Sequence, residues 1–256
     1  MRWDPAQYLA FADHRARPAL ELLARVAHPA PAQVYDLGCG TGAMVKMMHE
    51  RWPEAEVTGV DRSADMLATA REAAPGAAFE AADLADWAPA APADVIYSNA
   101  ALHWLDGHDH LFPRLFGHLA PGGVLAVQMP RNFQQPSHAL MREVADSPAW
   151  TTKLAGVLQT DPVAAPEVYY DLLAALGAGL DIWQVEYLQL LDGEDAVLNW
   201  VRGTALRPVL AALDDGDGAA FEAEYGARLR QAYPVAAGGR TPFPFRRLFI
   251  VATRPA

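Results

Sequence analysis

The chain contains 256 residues, of which 52% are hydrophobic and 20% are charged, and its formal net charge is −11. This length suits one α/β domain with elaborations, or one core plus a small cap, and the composition predicts a sizeable core and opposes global disorder. The negative charge opposes binding to nucleic acids and anionic membranes, which require a basic surface, so we expect neither as a partner.

Cys39 is the single cysteine. An intrachain disulfide and a zinc site built from several thiolates are therefore excluded. The first residues lack the apolar stretch of a signal peptide, and the sequence contains no run of about 18 apolar residues. We therefore expect a cytoplasmic protein.

From residue 33, short apolar segments alternate with longer amphipathic ones, which is the pattern of βαβ units. The apolar segments predict strands at 34–37, 56–60, 77–80, 94–98 and 124–129. The amphipathic segments predict helices at 43–51, from a Ser63 cap to about residue 74, and around 108–118. The Pro-Gly-Gly sequence at 121–123 predicts a turn before the fifth strand. The first half is therefore predicted to be a parallel sheet with crossover helices.

The pattern changes after Pro130. Helices are predicted at 137–147, 166–176 and 194–232, the last with a break at 214–218, and strands at 180–190 and 248–252. We interpret residues 1–256 as a single domain with a ligand-binding core at 30–130. A mainly helical elaboration on the substrate side occupies 131–240.

A glycine loop formed by Gly38, Gly40 and Gly42 follows the first predicted strand and precedes a helix. Glycine permits a tight turn and a close approach of the backbone to a ligand. The spacing alone also fits the dinucleotide fingerprint, with Asp61 near the position of the ribose-binding acid. The loop by itself therefore leaves NAD(P) and other adenosine cofactors open.

Three polar features favour S-adenosylmethionine over NAD(P). Asp36 precedes the loop, where a carboxylate would repel a pyrophosphate but suits the ammonium group of a methionyl moiety. Asp83, beside Leu84, follows the third strand and could accept a hydrogen bond from an adenine amine. Residues 99–104 follow the fourth strand, where the methyl group would point toward a substrate. The predicted donor-binding set is Asp36, Gly38, Gly40, Gly42, Asp61, Arg62, Met66, Asp83, Leu84 and Asn99.

Several of these residues also allow an ordinary structural interpretation. Asp61 and Asp83 could each be a turn or helix cap. Met66 could be a core residue or could pack on an adenine ring. Trp104 could be core or the wall of a cleft, and Cys39 is expected to be inert packing inside the loop.

Longer stretches across nearly the whole chain carry a family resemblance. The first half contains WDPAQYLAF, RARPALELLARV, VYDLGCGTG, VTGVDRSADML, AADL, IYSNAALHWL and PGGVLAVQMP. The second half contains LMREVA, VYYDLL, NWVRGTALRP and RRLFIVATR. Together they resemble the trans-aconitate 2-methyltransferase family, and AVQMP, ALRP and RRLFIVATR are its most specific pieces.

The resemblance implies a Rossmann-like class I methyltransferase fold, with a mostly parallel seven-stranded sheet flanked by helices. It implies transfer of a methyl group from S-adenosylmethionine to a carboxylate of a small polycarboxylic acid, with trans-aconitate as the expected acid. A carboxylate is ionised at neutral pH, so we expect no general base, and positioning falls to His103 and Trp104. Another small acid, a nicotinamide-dependent oxidoreductase and a non-catalytic donor-binding module are the alternatives.

Arginines are the expected ligands of the substrate carboxylates, because their planar fork matches a carboxylate. Arg207 and Arg247 lie in family-specific pieces and are the main candidates. Arg15, Arg131 and Arg246 are weaker candidates. Each of these arginines could instead be an ordinary surface or salt-bridge residue. Arg17 could hold the carboxylate of the donor or help an N-terminal lid close the cleft. Tyr8, His103 and Trp104 complete the predicted substrate set, although His103 could equally be a histidine of the cleft whose hydrogen bonds are already satisfied.

Three positions depart from the pattern of the family. Arg131 replaces a common acid, Ala205 a usual glycine and Arg246 a usual proline, which leaves selectivity among polycarboxylates open.

Two acidic clusters have a composition found in metal sites, but neither has the required spacing. Asp106, His108, Asp109 and His110 lie where a helix begins and are interpreted as a solvated cap. The segment 214–218 lacks a glutamate at the twelfth position of a calcium loop and is interpreted as a helix-breaking surface turn. We therefore expect no bound metal.

Overall fold

The computed structural model describes residues 16–158 and 160–256. A seven-stranded sheet runs through this part of the chain in the order β3-β2-β1-β4-β5-β7-β6. Its strands are β1 (Gln33–Leu37), β2 (Glu56–Asp61), β3 (Ala78–Ala81), β4 (Ala93–Asn99), β5 (Leu119–Pro130), β6 (Gly179–Leu191) and β7 (Thr241–Thr253). Strands β1 to β5 pair in parallel. Their carboxyl ends therefore meet at one edge of the sheet, where ligands bind in open α/β folds.

The helices follow the strands as the alternating pattern requires. They are α1 (Ala16–Arg25), α2 (Ala43–Arg51), α3 (Ala64–Ala73), α4 (His108–Gly117), α5 (Pro136–Ala145), α6 (Pro166–Ala174), α7 (Ala196–Arg202), α8 (Arg207–Ala212) and α9 (Asp215–Ala232). A short 3₁₀ helix covers Leu102–Trp104. Ser63 caps α3 by accepting a hydrogen bond from the backbone N–H of Met66, as its position before the helix predicts.

Strand β7 runs antiparallel to β5. Arg254 N donates to Gly123 O, and Arg131 N donates to Arg246 O, both over 2.9 Å. The two pairs are separated by eight residues on each strand, so the intervening register is regular and places Gln128 opposite Phe249. The last strand is thus inserted between β5 and β6.

The chain divides into two compact units. The first comprises Met1–Met129, Val163–Gln184 and Arg247–Ala256. Its core is formed by the apolar strands β1, β4 and β5, whose central residues are almost entirely buried, as expected for a parallel sheet covered on both faces. On β4, Tyr97 is fully buried and donates its hydroxyl to Ala19 O of α1 over 2.7 Å, which fixes that helix against the strand.

The second unit comprises Pro130–Pro162 and Val185–Arg246. Its core joins α5 and α7–α9 to the ends of β6 and β7, and Phe243 is in ring contact with Trp200 and Tyr233. Two tyrosine hydroxyls bond the backbone of Ser137 at the start of α5. Tyr225, on α9, donates to Ser137 O, and Tyr233, just after α9, accepts from Ser137 N. These bonds satisfy a helix terminus inside an apolar cluster.

The predicted fold class is confirmed, and the predicted strands and helices of the first half recur within a few residues. The division into a core at 30–130 and an elaboration at 131–240 stays a prediction, and residues 163–184 group with the first unit. Within the described residues, no helix has the length and apolar character to cross a membrane.

Two local predictions are confirmed only in part. Residues 121–123 are included in β5, but the chain bends there: Gly122 has φ +77°, and the pairing with β4 shifts from Ala93↔Leu119 to Val95↔Val124. The predicted break near 214–218 lies at 213–214, where Asp214 caps α9 by accepting from Asp217 N over 2.9 Å, so residues 215–218 form the first turn of α9. A further interruption at 203–206 does not follow from the sequence pattern.

Candidate active site

The glycine loop after β1 is held by close contacts to the next two strand ends. Gly38 N donates to Val60 O over 2.8 Å. Gly38 has φ +76°, and a Cβ atom there would overlap the Cβ of Ala101 in the loop after β4. Gly40 has φ +53°, but a Cβ there would meet no protein atom within 4 Å among the described residues. The loop thus packs tightly at Gly38 and opens at Gly40, where a ligand has room to approach the backbone.

Asp36 is the buried acid of this edge. It pairs in register with Gly59 of β2 and Tyr97 of β4 and is only 2% exposed. Burial, and then the negative charge of Asp61, raise the pKa of the Asp36 carboxyl to about 7. A buried carboxylate of this kind gains most from a nearby cation, because a cation offsets both effects.

Asp61 and Asp83 both accept hydrogen bonds from backbone N–H groups, as expected if each is a turn or helix cap. The two oxygens of Asp61 accept from Gly40 N over 3.0 Å and from Ser63 N over 2.9 Å. Asp61 therefore joins the glycine loop to the start of α3. Asp83 is exposed and accepts from Ala85 N over 2.9 Å. Each carboxylate oxygen has a second lone pair, so their roles toward ribose and adenine remain predictions.

The segment after β4 carries backbone strain and two aromatic rings. Ala100 has φ +53°, which is uncommon for a residue with a Cβ, and its N–H donates to Gln128 O over 2.9 Å. His103 is buried, and its ring lies 4.8 Å from that of Trp104. Trp104 is 53% exposed, which excludes the core interpretation. Met66, which is 41% exposed, is not a core residue either.

Cys39 is buried in the loop, and burial raises the pKa of its thiol to about 12. The thiol is therefore uncharged at neutral pH, in agreement with the predicted inert packing.

The predicted arginines lie in different parts of the structure. Arg247 is 7% exposed and belongs to the first unit, whereas Arg207 is exposed at the first residue of α8 in the second unit. Arg17 bonds Glu21 one helical turn away over 2.8 Å, and Arg62 is exposed. Tyr8 and Arg15 lie outside the described residues.

The two arginines that depart from the pattern of the family meet on neighbouring strands. Arg131 N donates to Arg246 O over 2.9 Å, and the Arg246 side chain bonds the Glu186 carboxylate over 3.1 Å. That ion pair is about half exposed on both sides.

Sequence reasoning did not single out Gln128, which is fully buried on β5. The available signal was an amide in an otherwise apolar strand, VLAVQMP. Its side chain lies in register with Asn99 at the carboxyl end of β4.

The interpretation of the cluster at 106–110 as a solvated cap is wrong for His108. Its ring is half-buried and bonds the Tyr169 hydroxyl over 2.7 Å and Leu102 O over 3.0 Å. Gly107, with φ +68°, occupies the N-cap position instead.

Comparison with known proteins identifies close relatives. Residues 34–123 match a family model described as a methyltransferase domain. The chain is 53% identical to the trans-aconitate 2-methyltransferase of Streptomyces coelicolor, over 99% of this chain and 87% of that protein. It is 51% identical to the trans-aconitate 2-methyltransferase of an Azoarcus species, over 98% of this chain and 99% of that protein.

Solved structures share the fold at low sequence identity. An S-adenosylmethionine-dependent methyltransferase from Mesorhizobium loti is 21% identical, with a TM-score of 0.54, over 96% of this chain and 100% of that one. A phosphoethanolamine N-methyltransferase from Haemonchus contortus is 15% identical, with a TM-score of 0.56, over 94% of this chain and 53% of that one. This chain thus spans about half the length of the Haemonchus enzyme.

Proposed function

The chain belongs to the trans-aconitate 2-methyltransferase family, and from this we propose that it methylates a carboxylate of a small polycarboxylic acid with S-adenosylmethionine. Trans-aconitate is the substrate we propose first. The products are a monomethyl ester and S-adenosylhomocysteine.

The buried carboxylate of Asp36 is the observation that carries the donor assignment. Its pKa is raised to about 7 by burial and by Asp61, so a cation bound beside it is strongly favoured over an anion. Gly40, four residues after this acid in the loop that follows β1, has open space at its Cβ position. These features fit the ammonium group and the sulfonium charge of S-adenosylmethionine, whereas the pyrophosphate of NAD would be repelled.

The remaining donor contacts follow from the positions of the strand ends. We assign the ammonium group to Asp36 and the glycine loop, the ribose to Asp61, and the adenine amine to Asp83. Met66, Leu84 and Arg62 would border the adenosine, and Asn99 would face the methionyl part. The Asn99 Oδ1 atom is buried and has no hydrogen-bond partner among the described residues, so it is available to accept from a ligand.

The proposed reaction does not require a residue of this chain to act as a general base. When bound, S-adenosylmethionine supplies a methyl group to a carboxylate oxygen, so that a C–O bond forms and the C–S bond breaks with its electron pair left on sulfur. The carboxylate is already ionised, so no residue needs to accept a proton. We assign His103 and Trp104 to orienting the acid and excluding water from the reacting oxygen.

Fixed cations would bind the carboxylates that do not react. Arg247 is our main candidate, because it is buried and belongs to the same unit as the glycine loop. Arg207 remains a second predicted ligand, and its own substitution tests it. Arg17 remains a predicted contact of the donor carboxylate, although its guanidinium bonds Glu21 here.

Two measurements test the proposed function. Calorimetry with S-adenosylhomocysteine and with NADH should give binding of the first and none of the second. A panel of di- and tricarboxylates with labelled donor should then show methyl transfer to trans-aconitate. Tight binding of NADH without S-adenosylhomocysteine would overturn the donor assignment, and donor binding without turnover of any acid would leave only a binding module.

We also propose that the enzyme acts in the cytoplasm on a small-molecule acid and binds neither nucleic acid nor membranes. The net charge of −11 supports the exclusion of these polyanionic partners. An anionic substrate must then be attracted by local arginines against the overall charge.

A further inference from the structure

Gln128 is a buried amide whose hydrogen-bonding groups are unused within the described chain. Its exposure is 0%, and neither Nε2 nor Oε1 has a partner among residues 16–158 and 160–256. Buried polar side chains almost always have partners, because leaving them unsatisfied is unfavourable. A buried amide on a central strand, with no partner for either of its polar groups among the described residues, therefore indicates that a bound ligand supplies the partner.

The register places this amide at the carboxyl edge of the sheet. Gln128 is paired with Asn99 of β4 on one side and lies opposite Phe249 of β7 on the other. Arg247 is two residues from Phe249 on the same strand and shares its face. Asn99, Gln128 and Arg247 therefore follow one another across neighbouring strands on one face of the first unit.

Asp36 belongs to the same face, because it pairs with Tyr97, which is two residues before Asn99. Across the strand order β1-β4-β5-β7, the side chains change from an acid, through two amides, to a guanidinium. This gradient matches a cationic donor beside β1 and an anionic acceptor beside β5 and β7. Strands are about 4.8 Å apart, so Gln128 lies roughly 10 Å from the strand of the glycine loop, one strand beyond Asn99.

We propose that Gln128 binds the carboxylate that becomes methylated, with its Nε2 group donating to one carboxylate oxygen, while Arg247 binds a second carboxylate of the same acid. This inference rests on the proposed function. A neutral amide orients the reacting group without neutralising its charge, so the second oxygen keeps its nucleophilicity. The guanidinium is better suited to a carboxylate that only has to be held.

The test compares Gln128→Leu with Val127→Ala and the wild type. Leucine fills a similar volume and removes both amide groups. Val127 is buried on the same strand but faces the other side of the sheet. Three quantities are measured for each protein: the affinity for S-adenosylhomocysteine, the affinity of that complex for trans-aconitate by calorimetry, and the melting temperature.

We expect Gln128→Leu to weaken acid binding roughly 10- to 100-fold, because a hydrogen bond to a charged group is lost. Its affinity for S-adenosylhomocysteine should not change, and its melting temperature should not fall, because an unsatisfied buried amide is removed. Val127→Ala should lower the melting temperature through the cavity it creates and leave acid binding unchanged.

Unchanged acid affinity in Gln128→Leu would overturn the proposal, whether or not the melting temperature falls. Weakened S-adenosylhomocysteine binding would also overturn it, because the amide would then contact the donor. A wild type that binds S-adenosylhomocysteine but neither binds nor methylates any acid would overturn the proposed function and this proposal with it. An active wild type with an unaffected Gln128→Leu variant overturns this proposal alone.

Discussion

Gly38 and Ala101 approach so closely that no side chain fits between them, since a Cβ atom at position 38 would overlap the Cβ of Ala101. This contact joins the glycine loop to the loop after β4. We expect Gly38→Ala to lower the free energy of unfolding by at least about 2 kcal/mol, because overpacking adds to the strain of a positive φ. Denaturant unfolding measures this loss.

Gly40→Ala should behave differently, although Gly40 also has a positive φ. Its Cβ would enter open space, so the loss of stability should be only about 1 kcal/mol from backbone strain. The affinity for S-adenosylhomocysteine should nevertheless fall at least about tenfold, because the Cβ occupies the volume assigned to the donor.

Gly122→Ala is the matched control for Gly40→Ala. Gly122 has φ +77° and open space around its Cβ position, but it lies near the amino end of β5, at the opposite edge of the sheet. It should lose similar stability and keep full donor affinity. Equal donor affinity in the Gly40 and Gly122 variants would contradict the placement of the donor at Gly40.

Arg247→Ala should reduce kcat/KM for the acid by at least about 30-fold, because a desolvated carboxylate would lose its cation. The affinity for S-adenosylhomocysteine should stay unchanged. Arg247→Lys keeps the charge but loses the planar fork, so an intermediate loss is expected. Steady-state kinetics with labelled donor measure the effect on the acid, and calorimetry measures the affinity for S-adenosylhomocysteine.

The control for this prediction is Arg246→Ala. Arg246 is half exposed and paired with Glu186, and such a surface ion pair contributes only about 0–1 kcal/mol. Its kcat/KM should remain within about threefold of the wild type. Wild-type kinetics in Arg247→Ala would contradict the assignment of this residue to substrate binding. The same assay on Arg207→Ala tests the other predicted ligand.

Asp214→Ala should lower the free energy of unfolding by about 1 kcal/mol without changing the affinity for either substrate. Asp214 accepts from Asp217 N at the start of α9, so its loss leaves a helix N–H unsatisfied. Asp215→Ala is the control, since Asp215 lies exposed in the first turn and is not the cap, so its interaction with the helix dipole contributes only about a few tenths of a kcal/mol. Equal unfolding midpoints for the two variants would contradict the cap.

The residues proposed to bind the donor could be predicted to lie near one another because several are contiguous in the sequence. Asp36 is the penultimate residue of β1 and the three glycines follow that strand, and parallel strands bring Asp61, Asp83 and Asn99 to the same edge. The spacing of Arg17 and Glu21 also permits an ion pair across one helical turn, which is the contact that the structure contains.

The acceptor side depends on tertiary pairing that local patterns do not encode. The Pro-Gly-Gly sequence predicts the bend at Gly122, but not that residues 121–123 also pair with β7 as part of the strand. The insertion of β7 between β5 and β6 also decides that Gln128 faces the same side as Arg247. A single polar residue in an apolar strand indicates a buried amide, but not that both of its hydrogen-bonding groups lack a partner among the described residues.

Asp36→Asn should change how stability depends on pH. Because folding raises the pKa of Asp36 from 3.8 to about 7, wild-type stability falls as pH rises between these values and levels off above about 7. Asparagine carries no charge, so the variant should gain about 2–3 kcal/mol relative to the wild type between about pH 5 and pH 8. Denaturant unfolding at several pH values measures this difference, and a constant difference would contradict the buried charge.

The same carboxyl couples donor binding to proton release. Below about pH 7 most Asp36 is protonated in the free protein, and a cation bound beside it favours the ionised form. Binding of S-adenosylhomocysteine at about pH 6 should therefore release close to one proton, and binding at about pH 8.5 almost none. Calorimetry in buffers of different ionisation enthalpy counts these protons. Asp36→Asn should bind the ligand weakly and show no such release, whereas release that persists in this variant would assign the proton to another group.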